Sequence, residues 1–312
     1  MKRRLLSLLI LLCSLPSFAQ ERETIRVGSK LFGGDVMLGY LVLAALEDAG
    51  YPVENMTRTG NTSTTRNALL NNQIDIYPEY TGTALSAFFP SISVETVDNM
   101  DSESVYAIAA SYDSAFHDLV WLEPAPVNDS YLMVITPTFA EQHQLYSLTD
   151  FARYVNEGGQ VVFATDAEFA NRPDGLQAME QAYGFDLVGS QLLVITQGSH
   201  QMFIDALLSG VNGINVVLSN GVDSFIDEYD LVPLYDDQEL LLPYEPAPVI
   251  RGTLLRRYPE IVTILNPVFR SLEPDVLIGM VARLEIHGED PYQIARDYIA
   301  ALKTEAETAE GG

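Results

Sequence analysis

The chain has little cysteine and little positive charge: one cysteine, one tryptophan, four histidines, and 17 Lys and Arg against 43 Asp and Glu. Cys13 lies inside a leader-like segment, so the processed chain would have no thiol for a disulfide, a nucleophile or a metal site. Beyond that leader no apolar run approaches the roughly 20 residues that span a bilayer, which excludes a fused permease. Motifs of the common enzymes are missing as well. There is no GxSxG elbow, no phosphate-cradling GxxxxGK, no HExxH and no CxxC. His117, His143, His200 and His287 are scattered among helical or loop segments and read as surface or capping residues. Paired carboxylates such as Asp236 and Asp237 come cheaply in so acidic a chain and carry no case for catalysis.

What is present begins with a secretory leader. Lys2, Arg3 and Arg4 precede the apolar run Leu5 to Leu12, and Ser17, Phe18 and Ala19 offer small residues to a signal peptidase. This predicts a signal peptide over residues 1–19, cleavage after Ala19 and export to the periplasm. Cys13 could instead be a lipidated cysteine, although Leu12 stands where a small residue is wanted. Once Lys2, Arg3 and Arg4 leave, 14 basic residues face 43 acidic ones and the net charge is about −29. Such a chain repels nucleic acid and anionic membranes. The charge reads as a device for solubility and salt tolerance, with steering of a cation as a smaller contribution at low salt.

About 290 processed residues suggest two domains of ordinary size. Strand-like and helix-like runs alternate, which predicts parallel α/β layers. Thr24 to Gly28 (TIRVG) reads as a strand, followed by a helix from Val36 to Ala49 that is apolar nearly all round, capped by Asp35 and closed by Gly50. Ser63 to Leu70 runs into the strand Ile74 to Tyr77, and Gln201 to Leu208 runs into Ile214 to Leu218, each helix carrying Ala-Leu-Leu before its turn. This is either chance or an echo between two domains. Open α/β sheets bind ligands beyond the carboxyl ends of their strands, which nominates Lys30, the segment Tyr80 to Thr83, the segment Asp166 to Arg172, and Asn220. Asn128 to Ile135 follows a proline-rich link, Glu123 to Val127, and a second irregular link spans Leu231 to Tyr244. Both are candidate crossings between domains. Residues 304–312 are polar, end in two glycines and are expected to fray.

Tyr80, Tyr131 and Tyr244 stand in loops beside glycine, proline or threonine. Loop tyrosines can hold a fixed cation that has no hydrogens to donate, each ring face contributing about 0.5 to 2 kcal/mol. For any one of them the alternative is packing, with its hydroxyl satisfied at the surface.

IDIYPEYTGT at Ile74 to Thr83, GSKLF at Gly28 to Phe32 and LEDAGY at Leu46 to Tyr51 resemble the glycine betaine, carnitine and choline binding proteins of osmoprotectant ABC importers. So do EFANRPDG at Glu168 to Gly175 and the stretch YDLVPLYDD to LLPYEPAPVIR, spanning Tyr229 to Arg251. The resemblance implies a two-lobed, type II periplasmic-binding-protein fold, with two parallel or mixed sheets flanked by helices, a hinge and a cleft between the lobes. Lobe 1 is expected over 20–128 and 236–303, and lobe 2 over 129–235. It also implies a tyrosine cage for a trimethylammonium head and cationic and hydroxyl groups for a carboxylate tail. Carried over by position, Tyr80, Tyr131 and Tyr244 belong to the cage with Asp129 as a neighbour, and Lys30, Thr83 and Arg172 to the tail. Two departures stand out. Asn220 occupies the place of a further cage tyrosine, and Phe32, Gly33, Gly34 and Asp35 replace the FTEQ of relatives. Weaker betaine affinity, or a ligand that hydrogen-bonds Asn220, is expected.

The leading expectation is therefore passive capture of a quaternary ammonium compound by a monomer that docks on an inner-membrane ABC permease, with no cofactor, metal or catalytic residue. A second reading keeps the fold and changes the ligand to an amino acid, a polyamine or a sulfur betaine. A third is a periplasmic enzyme using Asp129 or Asp166 as a base near Lys30. A sensory ectodomain is a further alternative, disfavoured by the absence of a second anchor.

Overall fold

The computed structural model describes residues 22–89, 100–196 and 198–310. The leader read over residues 1–19, Cys13 included, lies outside the described residues, as do 311–312. Among the described residues, ten strands form two five-stranded mixed sheets. The first holds β1 (Ile25–Gly28), β2 (Val53–Met56), β3 (Ile76–Tyr80), β4 (Leu119–Trp121) and β10 (Pro246–Arg251). The second holds β5 (Tyr131–Ile135), β6 (Phe163–Asp166), β7 (Leu192–Ile195), β8 (Val216–Asn220) and β9 (Val232–Pro233). No helix among the described residues is long and apolar enough to cross a membrane.

The sheets share one plan. Their orders are β2-β1-β3-β10-β4 and β7-β6-β8-β5-β9. In each, three parallel strands are followed by two antiparallel neighbours. The two helix-strand units noticed in the sequence occupy equivalent places: helix Thr62–Leu70 leads to β3 and helix His200–Ser209 to β8, each strand third in its sheet. The shared Ala-Leu-Leu turn thus belongs to matching positions in the two lobes.

Apolar side chains fill both faces of both sheets. The helix α1 (Gly33–Asp48) is buried along most of its circumference because it is sandwiched between the first sheet and the helices Ile261–Arg270, Pro274–Glu285 and Pro291–Glu310. This accounts for a sequence with no polar face. The other side of that sheet is covered by Thr62–Leu70 and Ser102–His117 around Trp121 and Val249. The second sheet has separate cores around Phe151 and Phe163 on one face and Phe203 and Val217 on the other.

Two local expectations differ. Asp35 does not cap α1; Phe32 is the preceding residue, and Asp35 is buried in the first turn. The Glu285 carboxylate approaches the Gly33 amide in its place, so close that a Cβ at Gly33 would overlap it. The segment expected to fray from Thr304 instead continues the helix Pro291–Glu310. Its alanines and glutamates are strong helix formers, and polarity there marks an exposed helix rather than a coil.

Candidate functional site

A cavity of about 810 Å³ lies where the two sheets face each other. It is large for one small solute, near the top of the roughly 300–1,000 Å³ typical of ligand sites. Topology explains its place. The parallel strands β1, β3, β6 and β8 all point their carboxyl ends at it and deliver Lys30, Tyr80, Asp166 and Asn220. The antiparallel β5 and β10 begin at the same edge, bringing Tyr131 and, just before β10, Tyr244. Tyr131 pairs with Asn220 across β5 and β8, so their side chains share one face of the sheet.

The two chain crossings run side by side at the cavity. The Asp129 amide donates to the Tyr244 carbonyl at 2.9 Å, the Tyr244 amide to Asn128 Oδ1 at 2.8 Å, and the Ser130 hydroxyl to the Leu242 carbonyl at 3.1 Å. These bonds hold Tyr131 and Tyr244 with ring centroids 5.8 Å apart, edge to face. Gly82 makes room for the arrangement: a Cβ there would lie 2.9 Å from the Tyr244 ring. Burial drives the hydroxyls of Tyr80, Tyr131 and Tyr244 well above the ordinary phenol range, so all three are neutral donors.

Seven of the eight side chains expected at the site line the cavity: Lys30, Tyr80, Thr83, Asp129, Tyr131, Asn220 and Tyr244. Arg172 does not. It lies behind the tyrosines, donating to Asp174 at 2.9 and 2.7 Å, to Glu168 at 3.3 Å and to the Ser86 hydroxyl at 3.0 Å, with its guanidinium 5.4 Å from the Tyr131 ring centre. Burial alone would lower its proton affinity, but Tyr131 and the Asp174 hydrogen bonds outweigh it and hold the charge. The same contacts keep the Asp174 carboxyl below its usual range against its own burial. Ser86 follows β3 and Asp174 follows β6, so this cluster joins the two lobes, and the Tyr244 hydroxyl reinforces it by donating to Asp174. Lys30 is also engaged, 2.5 Å from the fully buried Glu79 and 4.8 Å from the centre of the Tyr80 ring.

Carboxyls outnumber basic side chains in the lining. Burial, reinforced by the negative charge of Asp35, pushes Asp129 up to about 8, although Val222 donates its amide to Oδ1 at 2.8 Å and Tyr80 also favours the ionised form. Asp35 is pushed up to about 6 by burial, with Lys30 pulling the other way. Asp166 and Glu285 are raised, chiefly by burial. Among the lining residues that sequence reasoning missed are Asp35, Glu285 and His200. The His200 ring stacks on Phe32 at 5.2 Å, with Nδ1 3.9 Å from Asp223, rather than standing at the surface. Its position directly after Ser199, the cap of a helix that feeds β8, was the available signal.

Two lobes, each a mixed sheet wrapped in helices, with a polar and aromatic cleft between strand ends and a double crossover behind it, define a solute-binding protein of the periplasmic type. Residues 23–301 match the family described as the substrate binding domain of ABC-type glycine betaine transport systems, and the chain belongs to that family. It is 35% identical over 291 residues to the glycine betaine-binding protein YehZ of Escherichia coli, covering 93% of this chain and 94% of that protein. A glycine-betaine-binding protein of Pseudomonas aeruginosa is 28% identical, with 94% and 93% covered. The solved structure of apo YehZ superposes with a TM-score of 0.65 at 36% identity, over 89% of this chain and 98% of that one. A glycine betaine/carnitine/choline ABC transporter structure shares the fold, with a TM-score of 0.70 at 20% identity and the same coverage.

Proposed function

We propose that this protein captures a small organic ammonium compound, of the class that includes glycine betaine, choline and carnitine, in the periplasm and delivers it to an ABC permease of the inner membrane. The lobes, 20–128 with 236–303 and 129–235, close on the ligand without any covalent step, and the closed form is what the permease reads. Closure is driven by the higher affinity of the closed form. The observation that carries this reading is the meeting of Tyr80, Tyr131 and Tyr244 around buried carboxyls at one cleft. Aromatic faces and carboxylates both attract a cation that has been stripped of water. Signal peptidase cleavage after Ala19 and a monomeric state belong to the same proposal.

Titration calorimetry with glycine betaine, choline and carnitine tests it. At least one should bind with a measurable heat, and Tyr131→Ala should weaken it by about 3- to 30-fold, the equivalent of about 0.5 to 2 kcal/mol. Absence of binding by all three at millimolar concentration would remove the ligand class. The second reading, a different cation or zwitterion in the same cleft, is favoured by Asn220 standing opposite Tyr131 where an aromatic wall would complete the cage.

A further inference from the structure

The two cations that would hold a ligand carboxylate are already committed. Lys30 is locked to Glu79 at 2.5 Å, and Arg172 is turned away from the cavity onto Asp174. Among the described residues the guanidinium that does line the cavity, Arg58, is exposed and donates to the Leu31 carbonyl at 3.1 Å. Against these the lining sets Asp35, Asp166, Glu168 and Glu285, with Asp129 able to ionise as a cation arrives. A zwitterion would bring its own carboxylate into this field and gain little in return.

Hydrogen bonding points the same way. Asp35 Oδ1, Asn220 Oδ1 and Glu285 Oε2 are buried acceptors with no partner among the described residues, and all three residues line the one cavity. Unpartnered buried acceptors are costly, and each is relieved by a donor. A fully methylated ammonium has none to give. Its methyl groups suit the faces of Tyr131 and Tyr244 but leave those oxygens as they were.

We infer that the cleft selects an organic cation carrying N–H or O–H donors and no carboxylate, an amine or amino alcohol, and that Asp35 sets this choice. The inference rests on cation capture in the tyrosine cleft and narrows it. Asp35 lies in the first turn of α1, where a Cβ at the neighbouring Gly34 would come within 3.9 Å of both Asp129 Oδ2 and the Tyr80 hydroxyl. The groups that act on it are Lys30, Glu79, Tyr80 and Glu168, with Asp129 coupled to it. A bound cation adds a positive charge to that set, favours the ionised carboxylates and so releases a proton. Affinity therefore rises with pH through the region about 6 to 8, where Asp35 and Asp129 titrate in the free protein.

The test is calorimetry with three probes of similar size: glycine betaine, choline, and protonated N,N-dimethylethanolamine. The expected order is dimethylethanolamine at least as tight as choline, and both at least tenfold tighter than glycine betaine at pH 7. Asp35→Asn should cut that ratio to threefold or less, mainly by weakening the two cations. Repeating the wild-type titration at pH 6 in buffers of different ionisation heat should show a proton released, a readout that needs no variant. If glycine betaine binds tightest, or if Asp35→Asn lowers all three affinities equally and no proton is released, the inference is overturned while cation capture stands. If none of the three binds, both fall.

Discussion

Asp129→Asn is expected to stabilise the ligand-free protein at neutral pH and to change little near pH 4. Asp129 is 8% exposed, and burial pushes its carboxyl up to about 8 from an ordinary value of 3.8. Between those values the folded protein keeps a proton that the unfolded chain has lost. The stability this proton confers is complete below the unfolded value and drains away as pH rises through the folded one. Each pH unit in that window costs about 1.4 kcal/mol, so by pH 7 the native carboxyl has cost about 4 kcal/mol as an upper limit, and about half that once relaxation and water entry are allowed. Asparagine cannot ionise and can still accept the Val222 amide. For a chain of this size about 2 to 4 kcal/mol corresponds to roughly 3 to 8 °C in Tm. The assay is thermal unfolding of both proteins, without ligand, at pH 4, 5.5, 7 and 8.5. The curves should coincide at the acid end and separate upward, the variant being higher. A variant that is less stable than the native protein at pH 7 and 8.5, by an amount that shrinks toward pH 4, would mean that Asp129 is an ionised structural anchor, and the reasoning would be refuted. The same variant should bind choline more weakly, since the native acid retains that strain to hold a cation.

Two substitutions probe the cage and its latch. Tyr244→Phe keeps the ring but removes the hydroxyl that donates to Asp174 across the lobes; it should lower choline affinity by about 3- to 30-fold and enlarge the ligand-bound radius of gyration measured by small-angle X-ray scattering, and an unchanged affinity would deny the latch a role. Asn220→Tyr places a ring opposite Tyr131 and should tighten glycine betaine by about tenfold in calorimetry, whereas no gain would mean that position 220 is not a wall of the cage.

The strand ends were the most legible part of the sequence, because the rule that ligands gather at the carboxyl ends of parallel strands depends only on local pattern. It led to Lys30, the segments Tyr80 to Thr83 and Asp166 to Arg172, and Asn220; Lys30, Asn220, both ends of the first segment and the start of the second line the cleft, while Arg172 does not. What could not be read was partnership through space. Arg172 is assigned to a ligand carboxylate by its place in the family resemblance, but Asp174 two residues later and Ser86 on the other lobe take its donors. Glu79 is a strand residue in sequence and the counter-ion of Lys30 in the fold. Asp35 satisfied the local signature of a helix cap, and only the packing of α1 against the cleft turns it inward. Glu285 meets the start of α1 from the far end of the chain, a contact no periodicity announces. Burial converts these carboxyls from surface charge, which an acidic chain has in excess, into groups that can recognise a cation.

A crystal structure of the protein grown with choline tests the central claim most directly. The ammonium should lie between the rings of Tyr131 and Tyr244, within contact of Tyr80 and Asp129, with the hydroxyl directed at Asp35, Asn220 or Glu285. Choline bound outside the cleft, or an ordered cleft holding only water at saturating choline, would contradict it.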